Sequence, residues 1–297
     1  MSVTKTNRAI LLLSAVVLCT TPSARAQVLL TNQHVDVGLG FEPPTGTPGP
    51  GNLGTWDLHL HDETNGIEYA TTGTPGASNW AQLFVGTNTL TARNASSAFN
   101  FIGVGAGQQF YYLPQTQQPN RLYLGVGAED NTPGAPNAPI SYRLTDSRVN
   151  QPTGVDPDAN LAPWLRLQLL SFSGPAGGQF SVWNGDASSI SQSNQNVNQV
   201  WMATSDGVGT DDSLYIINGS HVHFNWAFTQ PGTYNLVLQA SGFLGGSPTN
   251  PDLLSASDPT TYTFVVEPIP EPTSMVLIGT TALGGIAWRR RRRESKQ

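Results

Sequence analysis

Apolar and polar residues alternate along most of the chain in short runs, each closed by glycine, proline, asparagine or aspartate. Trp56, Leu58 and Leu60 alternate with Asp57, His59 and His61; Val35 and Val37 flank Asp36; Val222, Phe224, Trp226 and Phe228 alternate with His221, His223 and Asn225. A period of two over four to eight residues marks a strand with one buried face. On that basis strands are expected over residues 28–37, 56–61, 80–85, 98–104, 110–113, 121–126, 140–144, 164–172, 179–183, 199–203, 213–217, 220–229, 232–240 and 261–266. Their spacing is that of an all-β, antiparallel β-sandwich. Thr229-Gln230-Pro231-Gly232-Thr233 is a tight-turn sequence, so residues 220–240 are expected to form a hairpin. With no internal repeat and one Pro/Gly-rich link at residues 41–55, a single domain over residues 27–269 is the economical division.

Composition agrees with this reading. Charged residues make up only 11% of the chain, and 31 glycines and 22 prolines punctuate it. Long helices are therefore excluded from its interior, while glycine and proline stay below the density of low-complexity disorder.

The two ends follow different rules. Lys5 and Arg8 precede an apolar run to Cys19, and Ala24-Arg25-Ala26 offers a small-residue cleavage site, so residues 1–26 are expected to be a signal peptide removed by signal peptidase. Cys19 is the sole cysteine, which leaves a mature domain without disulfides that depends on core burial. At the other end Pro270, Glu271 and Pro272 precede an apolar stretch over residues 274–288, short for a spanning helix, and then Arg289, Arg290, Arg291, Arg292 and Arg293. This arrangement over residues 270–297 resembles the PEP-CTERM sorting signal: a Pro-Glu-Pro motif, a hydrophobic helix and a basic cluster. The resemblance implies an exosortase-type sorting enzyme as partner, transient residence in the inner membrane, and delivery to the cell envelope, surface or extracellular matrix. The basic cluster stays cytoplasmic by the positive-inside rule, so the domain faces outward. A permanent transmembrane anchor is the alternative and predicts the same orientation.

Separating the ends changes the charge picture. Residues 27–269 hold five arginines, no lysine and 18 carboxylates, a formal charge of −13. So acidic a surface excludes nucleic acid as a partner, because phosphate neutralisation needs a basic footprint. It suits cations instead.

All five histidines fall into three short clusters: His34 with Asp36, His59 with His61, and His221 with His223. Residues i and i+2 of a strand share a face, so each pair can aim two side chains at one point. With apolar residues on the opposite face, these groups are expected to lie outside the sandwich core. Were the three strands neighbours, the imidazoles and Asp36 would converge on one patch. Imidazole suits Zn, Cu and Fe, and the absence of cysteine excludes thiolate zinc sites. A transition metal (Zn, Cu, Mn or Fe) on His34, Asp36, His59, His61, His221 and His223 is therefore expected, the alternative being solvated strand faces or a hydrogen-bonded histidine network.

Calcium has weaker support. The segments 156–160 and 206–212 carry clustered acids, but the first lacks the glycine and closing glutamate of a calcium loop. Residues 103–107 read as a glycine-rich strand end rather than a phosphate loop. Trp80, Trp164, Trp183 and Trp201 read as core or rim residues rather than sugar platforms. Neither a G-x-S-x-G elbow nor a mature cysteine nucleophile is present.

The segment from His221 to Tyr234 resembles the H-x-H-x-N-W-x-F-T-x-P-G-x-Y signature of choice-of-anchor M domains, which are surface-anchored in bacteria. His34-Val35-Asp36 resembles that family's opening H-x-D, and residues 174–183 and 110–125 resemble its glycine-rich and Leu-Pro-Gln segments. The resemblance covers residues 33–242 and implies one domain joined to varying anchors. In some members it also implies association with metal-type transporters. The expectation is an exported, surface- or matrix-targeted, non-catalytic domain that binds a transition metal. The alternatives are a metal-dependent oxidase or hydrolase, and a structural or adhesive matrix protein that meets extracellular polysaccharide or envelope components.

Overall fold

The structure, a computed structural model, describes residues 28–71, 79–128, 164–185, 197–244 and 253–268. The expected signal peptide at 1–26, the expected strand at 140–144, the segment 156–160 and the expected apolar helix at 274–288 lie outside the described residues. Among the described residues, no helix is long and apolar enough to cross a membrane.

The fold is mostly β, as expected, and is built from three sheets. A seven-stranded sheet joins β1 (Val28–Leu30), β5 (Ala81–Val85), β17 (Thr260–Val266), β15 (Gly232–Leu244), β9 (Trp164–Ser173) and β12 (Ser213–Ile217), with β16 (Leu253–Ala256) paired to β15. A five-stranded sheet runs β11 (Gln199–Ala203), β10 (Phe180–Asn184), β14 (Asn225–Phe228), β7 (Gln109–Leu113) and β6 (Leu90–Ala92). The third sheet, also five-stranded, runs β13 (His221–His223), β8 (Tyr123–Gly127), β2 (His34–Glu42), β3 (Thr55–Asp62) and β4 (Ile67–Tyr69).

One continuous core joins all three sheets. Val35, Val37, Leu60 and Leu124 of the third sheet, Trp226 and Phe228 of the second, and Leu236 and Phe264 of the first are all buried within it. Aromatic contacts tie the second sheet to the first, with Phe228 and Phe264 at 4.8 Å and Trp226 and Phe264 at 6.2 Å between ring centres. The third sheet is tied to both neighbours: Trp226 Nε1 donates to the Leu124 carbonyl at 3.2 Å, and Trp56 Nε1 donates to Ser255 Oγ at 2.9 Å. The second sheet buries its other face as well. Phe110, Tyr112 and Trp183 pack there against Phe99 and Ile102, and Tyr112 stacks on Trp183 at 5.7 Å. The third sheet differs, because the face turned away from the core carries histidines and carboxylates.

Several expectations are corrected. The second sheet is antiparallel throughout, but the other two are mixed, since β1 and β17 both run parallel to β5, and β2 runs parallel to β8. Residues 28–37 form two strands in different sheets, because the Gln33 side chain accepts from the backbone N–H of Thr31 and Asn32 and turns the chain. Residues 98–104 are not a strand but a 3-10 helix, Ser97–Ile102. Ser96 caps its start by accepting from the Ala98 N–H, and Gly103, at φ 86°, ends it in the left-handed region that favours glycine. The glycine-rich segment 103–107 therefore begins as a helix cap.

The expected hairpin at 220–240 does not form. Its first half breaks at Phe224 into β13, which pairs β8, and β14, which pairs β10 and β7. Pro231-Gly232, with Gly232 at φ 134°, then carries the chain into β15 of the seven-stranded sheet. The Tyr234 hydroxyl fixes this crossing by donating to the Gln230 carbonyl at 2.8 Å and accepting from the Gln230 N–H at 2.9 Å. Asn225 marks the break. It is fully buried rather than outward-facing, its Oδ1 accepting from the Tyr112 hydroxyl at 2.7 Å and the Gln115 N–H at 3.0 Å.

Replacing Asn225 by alanine orphans two buried donors, and each costs about 1–3 kcal/mol when left without an acceptor. Asn225→Ala is therefore expected to lower unfolding free energy by about 2–4 kcal/mol in a denaturant titration, against little change for a substitution at exposed Ile217.

Candidate metal centre

Strand order and parity together decide which side chains meet on the third sheet. Across β13, β8, β2, β3 and β4, one register row reads His223, Gly125, Asp36, His61 and Glu68, and the next reads His221, Gly127, Gly38 and His59. All of these positions share the outward face, and the row beside Asp36 adds His34 opposite Tyr123. Three strand steps of about 4.8 Å separate β13 from β3, so the two H-x-H pairs cannot reach one another directly. Glycine on the intervening strands sets what can meet. A Cβ on Gly125 would stand 2.2 Å from Asp36 Oδ1 and 2.9 Å from the His223 ring, and one on Gly127 would stand 3.2 Å from Asp36 Oδ2. Asp36 thus leans across β8 toward β13.

The result is a compact group of His34, His221 and His223, each offering a ligand atom within 4.8 Å of the others. His34 Nε2 and His223 Nε2 lie 3.0 Å apart, and Asp36 Oδ1 lies 3.6 Å from His34 Nε2. Between two neutral imidazoles at 3.0 Å, one nitrogen donates and the other accepts, so a single proton occupies the space between them. Two nitrogens bound tetrahedrally to one zinc at about 2.0–2.1 Å stand roughly 3.3 Å apart, so a cation could replace that proton with little movement. His221 is exposed on the rim, whereas the Asp36 carboxylate is buried, and a buried carboxylate favours positive charge beside it. Tyr123 stacks on the His223 ring at 3.7 Å with 3° between the planes, which fixes its orientation.

Electrostatics keep the His223 imidazole available as a ligand. Burial, and then the neighbouring His34, push the pKa of His223 down from 6.5 to about 4, with His221 acting in the same sense and a hydrogen bond to the Leu124 backbone partly opposing them. Burial removes water from the charged ring, and a second imidazolium about 4 Å away would add repulsion of roughly 4 kcal/mol near a protein surface. His223 is therefore neutral at pH 7, the form a metal requires.

His59 and His61 stand apart from this group. His61 Nδ1 faces Glu63 Oε1 at 3.1 Å, His59 Nδ1 lies 3.5 Å from Asp57 Oδ2, and the two rings are 6.2 Å apart. His59 is also buried, contrary to a solvated strand face, because its ring lies over Gly38, where a Cβ would come within 2.3 Å of Nε2. The pattern of types and spacing placed all six residues on one face but passed over Tyr123, Gly38, Gly125 and Gly127. Their signal was present, since the glycine pairs Gly38/Gly40 and Gly125/Gly127 share strand parity with His34, Asp36 and Tyr123. At the acidic segment 206–212, Asp212 is buried and accepts from the backbone N–H of Ala203 and Gly209, both at 2.7 Å, so its carboxylate anchors a turn. Trp183 and Trp201 are buried.

The PEP-CTERM protein-sorting motif matches residues 268–292. No curated protein and no solved structure matches the chain. Motifs of this kind are recognised by exosortase-type enzymes and mark exported proteins destined for the cell envelope or surface. The match begins one residue after Glu267, whose backbone N–H bonds the Val85 carbonyl and whose own carbonyl accepts from the Tyr111 hydroxyl at 2.6 Å. The sorting motif therefore follows the last described strand directly in sequence.

Because the folded pKa of His223 lies below the unfolded one, its contribution to stability is complete above about pH 6.5 and is lost as pH falls toward 4. Metal-free wild-type protein is expected to lose stability more steeply between pH 7 and pH 4.5 than His223→Gln in paired urea titrations. Parallel pH profiles would contradict the assignment.

Proposed function

We propose that this exported, surface-sorted chain captures a transition metal on its outward sheet face, through His34, His221 and His223 with Asp36 beside them. The observation that carries the reading is the convergence of three imidazoles from two strands across a glycine-floored third. Neutral nitrogen donors with one carboxylate suit Zn, Cu, Mn or Fe better than Ca. Orientation favours the same use: the sorting tail keeps the domain outside the membrane, where it can meet external cations. The likeness of residues 33–242 to choice-of-anchor M domains supports an envelope or matrix setting, with polysaccharide or other envelope components nearby.

A metal-dependent oxidase or hydrolase is the second reading, and one observation favours it. Three imidazoles are the protein ligand count of a typical catalytic zinc site, which keeps its fourth position for water or substrate. Asp36, 3.6 Å from His34 Nε2, decides between the two: as a fourth ligand it closes the site for capture, and as a hydrogen-bonding neighbour it leaves the site open.

Elemental analysis of the purified full chain after loading and desalting tests the proposal. After loading with Zn²⁺, the wild type is expected to retain about one equivalent more zinc than His221→Ala/His223→Ala. Background metal in the wild type, or equal content in both proteins, would overturn the reading.

A further inference from the structure

Next to the triad, on the same sheet face, a groove of about 390 Å³ runs over β2, β3 and the start of β4. Glu42, Asp57, His59 and Glu68 line it, with Gly40 in its floor, and no lysine or arginine contributes to its walls. Strand register explains the grouping. Asp57 and His59 are i and i+2 on β3, Glu42 lies diagonally from Asp57 because Gly40 opposes Asp57, and Glu68 lies diagonally from His59 because Glu68 opposes His61. Asp57 and Glu68 thus flank the His59 imidazole on one face, and Glu42 lies beyond Asp57.

His59 gives this acidic groove its chemistry. The residue is only 6% exposed, and neither ring nitrogen makes a hydrogen bond. The nearest acidic atom to it, Asp57 Oδ2, lies 3.5 Å from Nδ1, and Asp57 itself is open to solvent. A buried polar ring without hydrogen bonds destabilises a fold, a cost offset when the ring serves a ligand. Gly38 makes room for it, since a Cβ there would come within 2.3 Å of Nε2, and a Cβ on Gly40 would instead press on Asp57 at 3.2 Å from its carbonyl oxygen.

We propose that this groove is a second cation site, separate from the histidine triad, in which His59 and Asp57 bind a divalent ion such as Mn²⁺ directly and Glu42 and Glu68 complete an oxygen-rich shell. Donor type selects the ion. One nitrogen among carboxylate oxygens favours a harder cation than three imidazoles do, and matches manganese better than copper. A protein with both sites would hold a nitrogen-ligated and an oxygen-ligated metal side by side on one outward face.

The test reads bound Mn²⁺ by electron paramagnetic resonance on the full chain. It uses a His221→Ala/His223→Ala background, and the single His221→Ala, a substitution at an exposed rim position, should the double variant not fold. About one equivalent of Mn²⁺ should remain bound in that background, with spin-echo modulation from one directly coordinated nitrogen. Adding Asp57→Asn and Glu68→Gln, both at exposed positions, should weaken binding at least tenfold. Absence of bound Mn²⁺ in the background, absence of nitrogen modulation, or binding unmoved by the two carboxylate substitutions would each overturn the second site. None of these results bears on the triad, whose own failure is read from the difference in zinc content between the wild type and the His221→Ala/His223→Ala variant.

Discussion

Backbone closeness at three glycines is the constraint on which the candidate site depends. At Gly125, Gly127 and Gly38 a side chain would fall within about van der Waals radius of Asp36, His223 or His59, so no other residue fits without displacing them. Bare backbone at these points lets side chains lie flat across neighbouring strands instead of standing upright. Groups on β2 and β13, which are separated by β8, can then touch, and the same device folds His59 down over β2.

The constraint works only because the opposite face is held firmly. Val35, Val37, Leu60, Leu124 and Val126 are buried against the other sheets, and Trp226 bonds the Leu124 carbonyl from the second sheet. The break at Phe224 couples the two functions of one segment. Before it, His221 and His223 form the edge of the site-bearing sheet; after it, Asn225, Trp226 and Phe228 knit the second sheet and the core. A shift of one residue there would turn the histidines inward and the aromatics outward. Geometry at the site is therefore set by core packing some residues away.

Much of this was legible from alternation alone, including the β class, the outward parity of His34, Asp36, His61, His221 and His223, and the burial of Val35, Leu60, Trp226 and Phe228. Sheet assignment was not. Period two says which face a residue takes but not which strand lies beside it, so the 220–240 segment read as a hairpin although its strands serve three sheets. Local turn chemistry misled in the same way at residues 28–37 and 98–104, where the Gln33 side chain and the Ser96 cap overrode strand propensity. Convergence of all six candidate residues failed for a further reason. Two strands intervene between β13 and β3, and only the identity of those strands reveals that the histidines divide into a triad and a separate pair.

X-ray absorption at the zinc edge, on the full chain loaded with one equivalent of Zn²⁺, bears most directly on the convergence of His34, His221 and His223. The account predicts three imidazole nitrogens at about 2.0–2.1 Å, visible through their outer-shell scattering, with oxygen completing the shell. A first shell of oxygens with one imidazole or none would contradict it.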